Sequence, residues 1–200
     1  MVLGLFDPVT SFWQIELIKR IEAGGDWSQE EVELSDTVAV GIGIIHIGVY
    51  VATIVVFLMW FHRVRANLPA LGITNARWSP GWAVGWWFVP IMNLFRPYQV
   101  TSEIWRASDP LATSADWRDR SAPALLGWWW ALFLIGGGLD RGSFRMWNRI
   151  DEQPRGFDLD TLLLVDTAAA IVTVAGSVLI IRIIRGIDRR QSERVAIDVF

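Results

Sequence analysis

The chain has 200 residues, 52% of them apolar, with a mean hydropathy of +0.35 and a formal net charge of −3. It contains no Cys, which excludes disulfides, thiolate catalysis and Cys-ligated metal. With two His and no basic excess, neither a metal, a haem or other cofactor nor a nucleic-acid partner is expected.

Residues 8–23 carry Val9, Phe12, Trp13, Leu17 and Ile21 at helical spacing with charges between them. This pattern predicts an N-terminal amphipathic helix lying on a membrane or on the protein. Gly24 and Gly25 stop it. Ser28, with Glu31 three residues on, reads as a capping box opening a second short helix. The segment 1–36 is expected outside the cytoplasm.

A helix needs about 20 mostly apolar residues to cross a bilayer core. Three stretches meet that length. Thr37 to Phe61 has no Asp, Glu, Lys or Arg, nor has Ser121 to Leu139, and Thr161 to Ile181 has only Asp166. They predict three transmembrane helices, at about 37–61, 122–139 and 160–184. Trp60, Trp128, Trp129 and Trp130 lie near span ends, where an apolar ring with one N–H donor suits the lipid–water boundary. After the first span, His62, Arg63 and Arg65 read as an interface for anionic lipid.

Between the first two spans the pattern breaks. Residues 68–78 read as a loop, and Ser79-Pro80 as an N-cap with Pro at the first helical position. The apolar run after it is only about 15 residues long and is interrupted by Pro90, which removes an N–H and clashes with the Trp86 carbonyl. A second piece starts at Arg96-Pro97 and ends at Asp109-Pro110. Residues 79–108 therefore read as a broken, Trp-rich helical hairpin, re-entrant or interfacial, with a kinked fourth span as the alternative. Asp140 to Asp160 is a charged connection, the end of the chain is basic through Arg182, Arg185, Arg189, Arg190 and Arg194, and residues 191–200 read as a cytoplasmic tail.

The positive-inside rule counts Lys and Arg near span ends. An outside N-terminus with a returning hairpin puts twelve inside and six outside; a full fourth span with an inside N-terminus gives eleven against seven. Both arrangements put the tail in the cytoplasm, in a multi-pass protein of the cytoplasmic membrane.

Three runs carry a resemblance: Phe57 to Asn67 (FLMWFHRVRAN), Trp78 to Val100 (WSPGWAVGWWFVPIMNLFRPYQV) and Glu103 to Pro110 (EIWRASDP). A weaker match continues through Leu139-Asp140-Arg141 into Leu164-Val165-Asp166. Over roughly residues 37–190 the chain resembles the bacterial DUF4328 membrane family. The resemblance implies an all-α, polytopic membrane fold and no activity. Similar proteins usually carry a further hydrophobic segment before the one at Thr37, and here only the amphipathic stretch precedes it.

Two groups of residues are candidates for function. His46 and Asp166 are polar groups inside predicted spans, where burial costs several kcal/mol unless they are paired. They read first as an interhelical hydrogen bond and second as a proton or cation relay. Trp82, Trp86, Trp87, Asn93, Arg96, Tyr98 and Glu103 form the densest aromatic and polar group. Trp78, Trp82 and Trp86, spaced by four, are expected to stack along one helix face. Structurally, Asn93 would satisfy the carbonyl freed by Pro90 and Arg96 would pair with Glu103. Functionally, the group would hold an amphiphile, with Arg96 on an anionic head group. Gly81 and Gly85 make a small-xxx-small motif for close packing, possible between copies. No catalytic or nucleotide-binding motif occurs, so no enzyme is expected. The expected role is a non-catalytic accessory, scaffold or lipid-interacting subunit, partnered by membrane lipids, another membrane protein or a second copy. A small channel or transporter is the alternative.

Overall fold

Ser28 opens a much longer helix than its capping box suggested. In the computed structural model, residues 6–26, 28–152 and 159–198 are described, and their regular structure is entirely helical. The Glu31 N–H donates to Ser28 Oγ at 3.1 Å, and α2 runs without a break from Gln29 to Ala66. No Gly or Pro lies between Ser28 and Thr37, so nothing separates a short helix from the apolar one. The Glu31 carboxylate pairs with Arg20 of α1, Phe6–Glu22. In α1, Ile15 and Leu17 are buried while Phe12 and Trp13 are exposed, so the spacing stripe and the buried face coincide only in part. The side chain of Val9 lies outside the described residues.

The remaining helices are α3 (Pro80–Gly85), α4 (Arg96–Ala107), α5 (Ala124–Glu152) and α6 (Leu159–Asp198). Two helices, α2 and α6, are long and apolar enough to cross a membrane. The third expected span is not among them. In α5 the apolar run is rich in Trp and Gly, whose N–H groups and bare backbone lower its hydropathy. The helix then continues through Asp140, Arg141 and Arg145. The expected charged connection is thus helical up to Glu152, and residues 153–158 lie outside the described ones. None of the most apolar stretch of α2 is buried; Ile44, Ile47, Val56 and Met59 are each about two-thirds exposed. A helix that is apolar all round belongs in a protein core or in lipid.

The chain forms two compact units, one of residues 1–52 and 132–175 and one of 53–131 and 176–200. In the first unit, Lys19 of α1 pairs with Asp160 at 2.6 Å. There α5 and α6 approach closely at Gly136, where a Cβ would meet Val172 at 3.5 Å. Asp166 accepts hydrogen bonds from Ser143 Oγ and, at 3.3 Å, from Trp147 Nε1, so α5 supplies partners for the carboxylate within the apolar part of α6.

The second unit has a close-packed core. Phe61, Val64 and Leu68 meet Val100, Ile104 and Ala107 of α4, Leu126 and Trp129 of α5, and Ile183 and Ile187 of α6. Each of α4's apolar residues there is 0% exposed, as the three- and four-residue spacing of Val100, Ile104 and Ala107 requires. Gly72, at φ 79°, turns the chain back after α2 in a conformation only glycine takes without strain.

The two connections flanking the hairpin are laced together. Asn75 Nδ2 donates to the Ser114 carbonyl, Trp117 Nε1 donates to Asn75 Oδ1, and Ser114 Oγ donates to the Gly72 carbonyl, each at 2.7 Å. Asp116 accepts from the Thr113 N–H and hydroxyl, which hold its carboxyl below the usual range, with Arg120 adding to the effect.

The last turns of α6 do not form a loose tail. Gln191 and Arg194 are buried. Gln191 Nε2 donates to the Val64 carbonyl at 2.9 Å and to Ser108 Oγ at 3.0 Å. Arg194 donates to the carbonyl of Ala107, the last residue of α4 and one that lacks a helical N–H partner, and to the carbonyls of Asp109 and Ala112 in the turn that follows. Arg190 pairs with Asp109 at 3.1 Å and stacks on Trp105.

Candidate functional site

Residues 79–108 form two short helices joined by an irregular turn. Ser79 caps α3, its Oγ accepting from the Trp82 N–H at 3.3 Å, and Pro80 takes the first helical position. After six residues the helix ends. Pro90 supplies no N–H, and a single 3-10 turn, Met92–Leu94, leads into α4. Twelve residues of α4 reach about 18 Å at 1.5 Å per residue, well short of a bilayer core. No continuous helix within 79–108 is long enough to cross a bilayer core.

The turn between the two helices is apolar and uncovered. Phe88 is 68% exposed and Ile91 69%, and Trp82, Leu94 and Phe95 are about half exposed. The turn is tied down from one side, where Trp130 Nε1 of α5 donates to the Leu94 carbonyl at 3.0 Å.

The expected tryptophan stack along one helix face forms only in part, because Trp78 precedes α3. Trp82 and Trp86 meet at 4.6 Å between centroids, and Trp78 meets Trp86 edge-on at 5.5 Å. Arg96 lies over both Trp78 (4.8 Å) and Trp86 (5.5 Å), and Arg77 lies over Trp78 at 4.5 Å. Arg77 was not legible as a site residue: nothing in its spacing separates it from an ordinary loop arginine.

The expected pairing of Arg96 with Glu103 does not form. Arg96 Nη1 instead donates to Gln99 Oε1, one turn along α4, at 2.8 Å. Glu103 points into the core of the second unit. Its carboxylate accepts the backbone N–H groups of Arg77 at 3.1 Å and Trp78 at 3.4 Å. Arg65 approaches it to 3.7 Å, a Coulombic contact rather than a hydrogen bond. Burial pushes the Glu103 carboxyl above its usual range, against the opposing pull of those N–H groups and of Arg65.

Arg65 is therefore no lipid-interface residue: it is buried at 5% exposure against Glu103. Of the expected basic trio only His62 and Arg63 are exposed. Helical geometry accounts for this, since Arg65 follows the buried Phe61 by four and lies beside the buried Val64 on the same side of α2.

Trp87 and Tyr98 belong to the core. Trp87 is edge-on to Phe57 at 5.3 Å and to Trp130 at 5.9 Å, and Tyr98 packs on the same cluster. The side-chain oxygen of Asn93 is buried without a hydrogen-bond donor, and its backbone N–H donates to the Val89 carbonyl at 2.7 Å rather than any Asn93 donor reaching the Trp86 carbonyl that Pro90 frees. His46 is half-buried in α2, in the first unit, as is Asp166 of α6.

An open cavity of about 440 Å³ lies beside the ends of α2 and α6, lined by Arg63, Asn67, Leu71, Asp188, Gln191 and Val195 among others. Among the described residues no group of three or more His, Cys, Asp or Glu is placed to hold a metal ion.

Residues 23–189 match the family described as Domain of unknown function (DUF4328). The chain belongs to this family. No curated protein and no solved structure matches it. The DUF4328 match begins before the apolar part of α2 and ends in α6 just before Arg190, so it takes in the whole of 79–108 and the connections that frame it.

Proposed function

We propose that this DUF4328 protein is a non-catalytic integral protein of the bacterial cytoplasmic membrane. In this reading the hairpin at 79–108 sits in the interfacial layer and contacts lipid, as an accessory or scaffold subunit does. The carrying observation is the uncovered turn: Phe88, Ile91, Leu94 and Phe95 are exposed together on one short segment between helices too short to span. Contiguous exposed apolar surface of this kind is costly in water and is the usual mark of a contact with lipid or protein. The arginines stacked on Trp78 and Trp86 add cations where acyl chains give way to head groups.

The membrane reading draws on α2 and α6, the two helices long and apolar enough to cross. Charge favours a cytoplasmic second unit, since about twelve of the 18 Lys and Arg fall in it. That orientation puts the end of α6 in the cytoplasm and the N-terminal segment outside. A channel or transporter has less support, because Ser143 and Trp147 already engage the Asp166 carboxylate as a brace between α5 and α6.

The absence of Cys makes the test direct. Single Phe88→Cys and Ile91→Cys chains in nanodiscs, with both faces open to reagent, are exposed to a membrane-impermeant maleimide. They should react far more slowly than Ala115→Cys, and at equal rates once denatured. Equal rates in the nanodisc would put the turn in water and end the reading.

A further inference from the structure

Two guanidinium groups converge on one indole without a counter-charge. The guanidinium carbons of Arg77 and Arg96 lie 4.5 and 4.8 Å from the Trp78 ring centroid. They are therefore within about 9 Å of each other whichever faces they use. Among the described residues neither has a carboxylate at ion-pair distance. Glu103, the acid nearest in sequence to both, is spent on the Arg77 and Trp78 backbone and on Arg65. Arg96 gives one donor to Gln99 and keeps the rest of its five-donor fork. In the same cluster Trp86 Nε1 is buried and has no acceptor.

Like charges held together and a buried donor left over both favour a bound anion. A phosphate bridging two guanidinium forks would neutralise them through charge-assisted hydrogen bonds. The apolar surface continuous with this cluster, from Trp82 to Phe95, gives that anion a tail to go with its charge.

We infer that Arg77 and Arg96, set on Trp78, form a binding site for the phosphodiester of an anionic phospholipid, with the acyl chains along Trp82, Phe88 and Phe95. This rests on the interfacial reading of the hairpin and names the ligand class that it takes. It differs from a diffuse basic belt: Arg63, Arg182 and Arg185 are also exposed but have no indole to fix them.

The full chain in detergent is titrated with phosphatidylglycerol or phosphatidylcholine of matched chains, and bound lipid is read by native mass spectrometry. Phosphatidylglycerol should bind roughly 10- to 30-fold more tightly, with two fixed arginines contributing. Arg77→Gln with Arg96→Gln should abolish that preference, whereas Arg182→Gln with Arg185→Gln should leave most of it. Arg77→Lys with Arg96→Lys, which keeps the charge and the fold but loses the forks, should retain only part. A preference that survives the Gln pair overturns the site, and so does equal loss in the Arg182 and Arg185 control. Displacement of the lipid by equimolar inorganic phosphate overturns the lipid assignment in favour of the free anion. Slow labelling of Phe88→Cys with no head-group preference removes this site alone; fast labelling removes the reading beneath it.

Discussion

Trp105 leaves no room for a side chain at Gly186. A Cβ built there would lie 2.6 Å from Trp105 Cζ3 and 2.7 Å from Cη2, far inside contact distance. The indole is also held by Arg190, whose guanidinium stacks on it at 4.5 Å. Gly186→Ala must therefore displace the ring or spread α4 from α6. The expected cost is roughly 1–3 kcal/mol, read as a lower unfolding temperature in detergent. Trp105→Leu should recover part of it in the double variant, because the obstructing ring is gone.

Glu103 holds the backbone that carries Trp78. Glu103→Ala strands two N–H groups and the buried Arg65, and should cost roughly 3–5 kcal/mol. Glu103→Gln keeps an acceptor and should cost clearly less. The pH dependence follows from burial, which raises the native carboxyl above its unfolded value. The folded chain then keeps a proton over a window where the unfolded chain has lost it. That contribution is complete below the unfolded carboxyl's pKa and declines as pH climbs to the raised value. From about pH 4 upward the wild type should lose unfolding temperature relative to Glu103→Gln. A parallel pair of curves would contradict it.

Arg194 closes the end of α4. Its fork reaches three carbonyls, so Arg194→Ala should cost roughly 2 kcal/mol or more by leaving buried acceptors unmet. Arg194→Lys should recover little, since an ammonium on a flexible stem does not reproduce the planar fork. Hydrogen exchange at the Ser108 and Ala112 amides, whose N–H groups bond Ile104 and Asp109, should quicken in both variants.

Asp166 braces α5 against α6. Asp166→Leu should weaken that contact by roughly 1 kcal/mol, whereas Asp166→Asn, which still accepts from Ser143 and Trp147, should change it little. Stability of the purified chain in a detergent series distinguishes the two.

Much of this fold was legible. Ser28 and Ser79 announce helix starts because a hydroxyl before a helix satisfies an otherwise free N–H, a purely local effect. Pro90 announces the break for the same reason in reverse. The contact of Trp82 with Trp86 follows from four-residue spacing, whereas Trp78, ahead of α3, meets Trp86 only through the fold. What spacing does not carry is the choice among partners. Arg65, Arg96, Arg118 and Arg190 look alike in the chain, and only the packing of α2, α4 and α6 decides that Arg65 meets Glu103 while Arg96 turns to the indoles. The α6 clamp was hidden likewise: a run of arginines and one glutamine reads as a solvated end until α4's open carbonyls are placed beside it.

The capping of α4 also sets an order of events in synthesis. The carbonyls of Ala107 and Ala112 are made long before Arg194. At ordinary rates of translation the interval is about 4 to 16 s. Throughout it the hairpin exists without its closing contacts, and under the interfacial placement proposed above its tryptophans reach the bilayer surface first. On that reading lipid is available to this segment as a folding partner before the rest of its own chain is.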